Sequence, residues 1–239
     1  MKKKIGFIAC AIAIFFISQM VSAQTSFQGG INGLLGFPQG KFKDNAADLG
    51  GGIGLEFLYS PATSSFGIGA AFGFIVYGSE TNRELVQTSG HDFHVDVSTT
   101  NAIIQGHILV RVQNKQGSVR PYLDGLLGFN HLTTDTRIKD PDEWDDSIDD
   151  NDQHDTAFSY GGGAGIMIKV YEKKKPSGSA KPKFLKLYID AKVRYISGGE
   201  AEYLRKGSIS RDENNKIVYD KKESKTDIIL AQVGVNIDF

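Results

Sequence analysis

Cysteine is almost absent from this 239-residue chain: its one copy is Cys10, so no internal disulfide can form. An excess of charge of either sign is missing too. Lys and Arg number 27 against 28 Asp and Glu, for a formal net charge of −1. That balance excludes the strongly basic footprint of an electrostatic nucleic-acid binder, and no nucleic-acid partner is expected. Proline is scarce, at 6 residues, so few positions forbid a strand. After the first residues no apolar run is long enough for a spanning helix, so a membrane location would require a barrel. Motifs for nucleotide or ester chemistry are lacking as well. Gly50-Gly51-Gly52 and Gly161-Gly162-Gly163 are not followed by the Lys-Ser/Thr of a phosphate loop, and no G-x-S-x-G occurs.

What is present begins with an export signal. Lys2, Lys3 and Lys4 precede an apolar run from Ile5 to Ile17, and Val21-Ser22-Ala23 supplies the small residues of a cleavage site. The expected organisation is a cleaved signal over residues 1–23 and one domain over 24–239. Cys10 leaves with the signal.

The rest of the chain is dominated by a period of two. Phe27 to Phe37, Leu49 to Tyr59, Phe66 to Val76, Ala102 to Val112, Val119 to Phe129, Phe158 to Val170, Leu185 to Tyr195 and Ile229 to Phe239 each place apolar residues on alternate positions. Alternate side chains of a strand face opposite sides, so each run has one apolar face. The other faces carry Gly and polar residues. No helical periodicity stands out. Val95 and Val97 are odd-numbered, whereas the apolar face from Ala102 onward is even, which predicts a bulge or strand start near Ser98 to Asn101.

Alternation alone leaves the buried face open. Three features favour an antiparallel up-and-down transmembrane β-barrel of about eight strands, with its apolar face to lipid and its polar face inward. The runs match the roughly 9 to 11 residues that a tilted strand needs to cross the hydrocarbon layer. The connections alternate: Ser60 to Ser65, Asn114 to Ser118 and Glu172 to Lys183 are the shorter set. Pro38 to Asp48, Ser79 to His94, Thr133 to Asp155 and Gly198 to Lys225 are mostly longer and are expected outside the cell. The chain also ends on its last strand in an aromatic residue.

That ending, Gln232-Val233-Gly234-Val235-Asn236-Ile237-Asp238-Phe239, resembles the assembly signal of outer-membrane barrels, through Gln232, Gly234, Ile237 and Phe239. In size and strand number the chain is similar to the OmpA transmembrane domain and OmpX family, and to the small outer-membrane barrel proteins of Bacteroidetes. The resemblance implies a bacterial outer-membrane location, contact with outer-membrane lipids, and recognition of the last strand by the barrel-insertion machinery.

Inside such a barrel, Glu56, Asp124, Asp190 and Asp238 are expected to pair with Arg111, Lys169, Lys192 and Arg194, with His107 in the same polar lumen. Buried charge requires partners, and eight strands leave just enough room for side chains. A structural plug is the favoured reading; a narrow pore or small-ligand cavity is the alternative. The acidic stretch Asp140 to Asp155 lacks calcium-loop spacing and reads as solvated. Trp144 within it is either a rim anchor or a partner contact. His91, His94, His131 and His154 fall on one side, but no spacing joins them, so neither metal nor cofactor is expected. Lys173, Lys174, Lys175, Lys181 and Lys183 read as a solvated periplasmic turn. Ile209 and Ile217 to Tyr219 flank a turn at Asp212 to Asn215, which suggests a protruding hairpin able to accept a partner strand. His131 with Thr133 or Asp135 is too generic to indicate catalysis. The resulting expectation is a monomeric, noncatalytic scaffold with surface loops and an extracellular or periplasmic protein partner. A transport channel and a lipid-modifying enzyme are the alternatives.

Overall fold

The computed structural model describes residues 25–45, 49–61, 64–88, 91–139, 147–149, 153–173, 185–211 and 217–239. The export signal, most of the acidic stretch with Trp144, the lysines from 174 to 183 and the turn at 212–215 lie outside the described residues. The elements run β1 (Thr25–Pro38), α1 (Gly40–Asn45), β2 (Gly50–Pro61), β3 (Phe66–Thr88), β4 (His91–Gln113), β5 (Val119–Lys139), β6 (Ser147–Asp149), β7 (Gln153–Lys173), β8 (Leu185–Gly198), β9 (Glu200–Arg211), β10 (Ile217–Lys225) and β11 (Ile228–Asp238).

Eight of these strands close a ring. Each of β1 to β5 pairs antiparallel with the next, β5 pairs with β7, β7 with β8, β8 with β11, and β11 with β1. The register fixes the stagger. Phe27 faces Tyr59, and the walk continues through Ile68, Val110, Gly125, Gly162, Tyr195 and Ile229 to Phe37, ten residues along the strand where it began. Such a displacement requires tilted strands. Closure also pairs every strand edge within the ring.

The side chains settle which face is inside. Arg111 is fully buried, whereas Leu123, on the neighbouring strand with opposite parity, is 62% exposed. Phe27, Ile31, Ile53, Phe57, Ile108 and Val233 likewise point outward. An apolar exterior around a charged interior is stable only in lipid, so this is a membrane-spanning barrel. Aromatic residues mark the edges of its apolar band. Phe27 and Tyr59 meet at 5.2 Å near the chain termini, and Phe158 and Tyr160 at 6.4 Å towards the other end.

At the end bearing Thr25 and Phe239, the connection between β4 and β5 is a tight turn. Between β4 and β5, Gln116 N–H donates to Asn114 Oδ1 at 3.0 Å, and Gly117 takes a φ of 83°, a conformation that favours glycine. Lys115 Nζ donates to Ser60 Oγ at 2.8 Å and to the Pro61 carbonyl, tying this turn to the end of β2.

The opposite end differs from the sequence expectation. Ser79 to His94 and Thr133 to Asp155 carry strand where loops were expected: β3 pairs with β4 out to Thr88 and His91, and β4 with β5 out to Asp96 and Lys139. In Gly198 to Lys225, β9 and β10 form the hairpin that the sequence suggested, with Ile209 opposite Tyr219. Stretches such as Ser79-Glu80-Thr81-Asn82-Arg83 and Thr133-Thr134-Asp135-Thr136-Arg137 are polar in sequence and carry no apolar alternation to announce a strand. The predicted bulge is also displaced. β4 is regular from Asp96 to Gln113 in its pairing with β5, and the irregularity lies in β3 between Val76 and Gly78, opposite Ala102 and Asn101. Finally, six residues between β1 and β2 form α1, where no helix was expected.

Candidate functional site

Three layers fill the lumen. The upper layer, at the end away from the termini, is apolar. Phe42 of α1 is fully buried in one cluster with Leu34, Ile75, Tyr77, Ile228 and Leu230. Its ring meets Tyr77 edge-on at 5.3 Å. Polar neighbours in Gly40–Asn45 keep the short helix wet on its other side, while Phe42 stoppers the barrel mouth.

The middle layer is ionic. Arg111 on β4 and Asp124 on β5 are direct register partners, and both point inward. Arg111 Nε donates to Asp124 Oδ1 at 2.7 Å and Nη2 to Oδ2 at 2.9 Å, a two-pronged contact. Nη2 also reaches Glu56 Oε2 at 3.0 Å, from β2. Arg194 on β8 approaches from the opposite side, pairing with Asp124 and placing Nη1 at 2.9 Å from Glu56 Oε1. Lys192 Nζ pairs with Glu56 and lies 3.0 Å from Asp190 Oδ2. Tyr122 O–H donates to Asp190 Oδ1 at 2.6 Å, and its ring lies 3.9 Å beneath the Arg111 guanidinium. Three carboxylates thus meet three cations, which neutralises the group as a whole.

Glycines in the wall make this possible. A Cβ at Gly163 would stand 2.6 Å from Arg194 Cγ, and one at Gly165 would overlap the Tyr122 ring. A hydrogen-bonded chain continues round the wall: Gln105 Nε2 donates to Asn130 Oδ1 at 3.1 Å, Ser159 Oγ donates to the same oxygen at 3.2 Å, and His107 Nε2 lies 2.9 Å from Ser159 Oγ.

The lower layer holds Arg120, 3.4 Å from Asp238 Oδ2 and 4.8 Å over the Tyr188 ring, with Ser26 bonded to Asp238. Here the buried amide oxygens of Gln28 and Asn236 have no protein partner.

The sequence-chosen residues therefore divide. Glu56, Arg111, Asp124, Asp190, Lys192 and Arg194 come together, and His107 stands beside them. Asp238 lies a layer lower and pairs with Arg120 rather than with any of the expected cations. Lys169 is a correction. The pairing of β7 with β8 slips between Lys169 and Tyr171, and Lys169 Nζ turns to Glu172 at the partly exposed rim. Arg120, Tyr122, Ser159 and Tyr188 were missed, although each has the inward parity of its strand. On β11, Gln232 is buried, and Phe239 is exposed while its N–H donates to the Phe27 carbonyl at 2.8 Å.

The chemistry available inside is limited by space. A cavity of about 20 Å³ lined by Glu56, Gln105, His107, Arg194 and Gln232 fits a single water. A larger groove of about 780 Å³ opens where Gly33, Ala164, Ala191 and Ala231 leave the outer wall low between Leu35, Ile166 and Val233. It faces the hydrocarbon. His131 hydrogen-bonds Thr156, across the β5–β7 pairing.

A family described as outer membrane protein beta-barrel domain matches residues 7–239. No protein of curated function matches the sequence. Among solved structures, Ail, the attachment invasion locus protein of Yersinia pestis, determined with the heparin analogue sucrose octasulfate, is similar at 16% identity and a TM-score of 0.38, over 90% of this chain and 97% of that one. Neisserial surface protein A is similar at 10% identity and 0.35, over 90% and 95%. The N-terminal β-barrel domain of Pseudomonas aeruginosa OprF is similar at 13% identity and 0.32, over 91% and 100%.

Proposed function

We propose that this chain, which belongs to the outer membrane protein beta-barrel domain family and resides in the bacterial outer membrane, is a noncatalytic scaffold whose projecting strands are its working surface. One contrast carries the reading: the lumen is filled while the outer strands are long. The ionic layer spans the lumen beneath the Phe42 stopper, and the cavity beside it fits a single water, which argues against a steady channel. Meanwhile β3 and β4 continue well beyond the apolar band, and the pairing of β2 with β3 stops at Gly51 and Val76. The rest of β3 therefore rises without β2 beside it and offers backbone groups to a protein partner by strand addition. Outer-membrane lipids surround the apolar belt, the insertion machinery reads Gln232, Gly234, Ile237 and Phe239, and the closed ring works as a monomer.

The test compares the full protein with a version trimmed between Tyr77 and Asn101, both checked for heat-modifiable migration. Bacteria carrying the full barrel should adhere to immobilised protein layers more than bacteria carrying the trimmed one. Equal adhesion would count against the strand surface. A steady conductance in planar bilayers, or altered lipid A or phospholipid on expression, would replace the scaffold reading with a channel or an enzyme.

A further inference from the structure

Two histidines that are 23 positions apart in sequence become neighbours on the outer wall. His131 of β5 pairs across the ladder with Thr156 of β7, and Thr133 pairs with His154. His131 and His154 are thus diagonal neighbours on one face, and their ring centroids stand 5.8 Å apart with planes inclined at 41°. His131 lies one same-face step beyond Phe129, and His154 two beyond Phe158, the aromatic pair where the apolar band ends. His154 is exposed and His131 half-buried, so the pair is open to solvent.

The surroundings prepare one ring for coordination. His131 Nδ1 lies 2.7 Å from Thr156 Oγ1. With the proton on Nδ1 and donated to that hydroxyl, Nε2 keeps its lone pair free, which is the tautomer and fixed orientation that a metal-binding imidazole requires. Asp155, the next residue, is turned to the Thr156 N–H at 2.7 Å. Among the described residues no third histidine, cysteine or carboxylate joins the pair closely enough to make a closed site. Two imidazoles with open positions suit a divalent transition ion that retains water, and imidazole affinity peaks at copper among the first-row divalent ions.

We propose that His131 and His154 form a two-histidine site for Cu²⁺, or more weakly Zn²⁺, at the outer boundary of the membrane. It is independent of the lumen and of the projecting strand edge, so it stands or falls separately from the scaffold reading.

The probe is Cu²⁺ added to the full barrel folded in detergent micelles. One ion should bind per barrel, with two nitrogen ligands visible in its electron paramagnetic resonance spectrum. His131→Ala and His154→Ala should each weaken binding at least tenfold and leave one nitrogen in the spectrum. Thr156→Val should weaken it severalfold, since the ring loses its fixed orientation. His91→Ala with His94→Ala should change nothing. Full binding by the His131→Ala/His154→Ala protein, or loss confined to the His91/His94 variant, overturns the proposal. Heat-modifiable migration verifies folding of each variant. In the unsubstituted protein, Cu²⁺ should protect both rings from acylation by diethyl pyrocarbonate, read by mass spectrometry, and equal acylation with and without Cu²⁺ also overturns the proposal.

Discussion

Arg111 grips both carboxylate oxygens of Asp124, the residue directly opposite it on the next strand. Neither side chain is accessible to solvent, and each also serves a second partner: Arg111 holds Glu56, and Asp124 holds Arg194. A pair embedded in this way resists partial removal. Arg111→Met should leave Asp124 and Glu56 short of positive charge and cost about 3–5 kcal/mol, the range for breaking one side of a buried ion pair. Asp124→Asn should cost less, because the amide still accepts a hydrogen bond. The double variant should be milder than the sum, with a coupling of about 1–3 kcal/mol. Urea unfolding followed by heat-modifiable migration measures all three, and strictly additive losses would show that the two side chains do not act as a unit.

Phe42 tests whether the stopper or the ionic layer closes the lumen. Its side chain is fully buried, so Phe42→Ala should destabilise the barrel by roughly 3–5 kcal/mol. Conductance should stay absent, because the ion pairs below remain in place. Current through the Phe42→Ala barrel would assign the seal to α1 instead.

These two features differ in how far the sequence reveals them. Period-two alternation exposes the strands and their faces, and parity alone turns Glu56, Arg111, Asp124, Asp190, Lys192 and Arg194 inward. It fails where the chain breaks step. At β7 the slip beside Lys169 carries that lysine to Glu172, and at Tyr77 the extra residue sits on the strand opposite the one where the parity change is visible. It is also silent beyond the apolar band, where the sequence Ser79-Glu80-Thr81-Asn82-Arg83 has no apolar residue to mark a strand period. Phe42 is a lone aromatic among polar residues, and nothing local says that it turns into a barrel mouth.

Gly165 stands in the wall beside the ionic layer. A Cβ there would collide with the Tyr122 ring, which is held between Arg111 and Asp190. Gly165→Val should therefore destabilise by about 1–3 kcal/mol, as overpacking does. Tyr122→Leu in the same protein should recover part of that loss by vacating the space. Tyr122→Phe should recover less, because it removes the hydroxyl that the added Cβ would meet but keeps the ring carbon that lies equally close. Equal recovery by both would mean that the Tyr122 hydroxyl, and not its ring, is what the valine disturbs.

Phe239 separates stability from assembly. Its side chain is more than half exposed, and its N–H bond to the Phe27 carbonyl uses backbone alone. Phe239→Ala should thus leave the backbone seam intact and cost the folded barrel only the lipid contact of the ring, about 1.5–3 kcal/mol, a loss that still permits refolding in detergent. If the insertion machinery reads this residue, the same change should slow delivery in the cell, so that unfolded protein accumulates in the periplasm after a pulse of synthesis. The comparison is between refolding of the purified chain in detergent and pulse-chase insertion in bacteria. A defect only in the cell assigns Phe239 to assembly, whereas equal defects in both would make it a structural residue of the closing seam between β1 and β11.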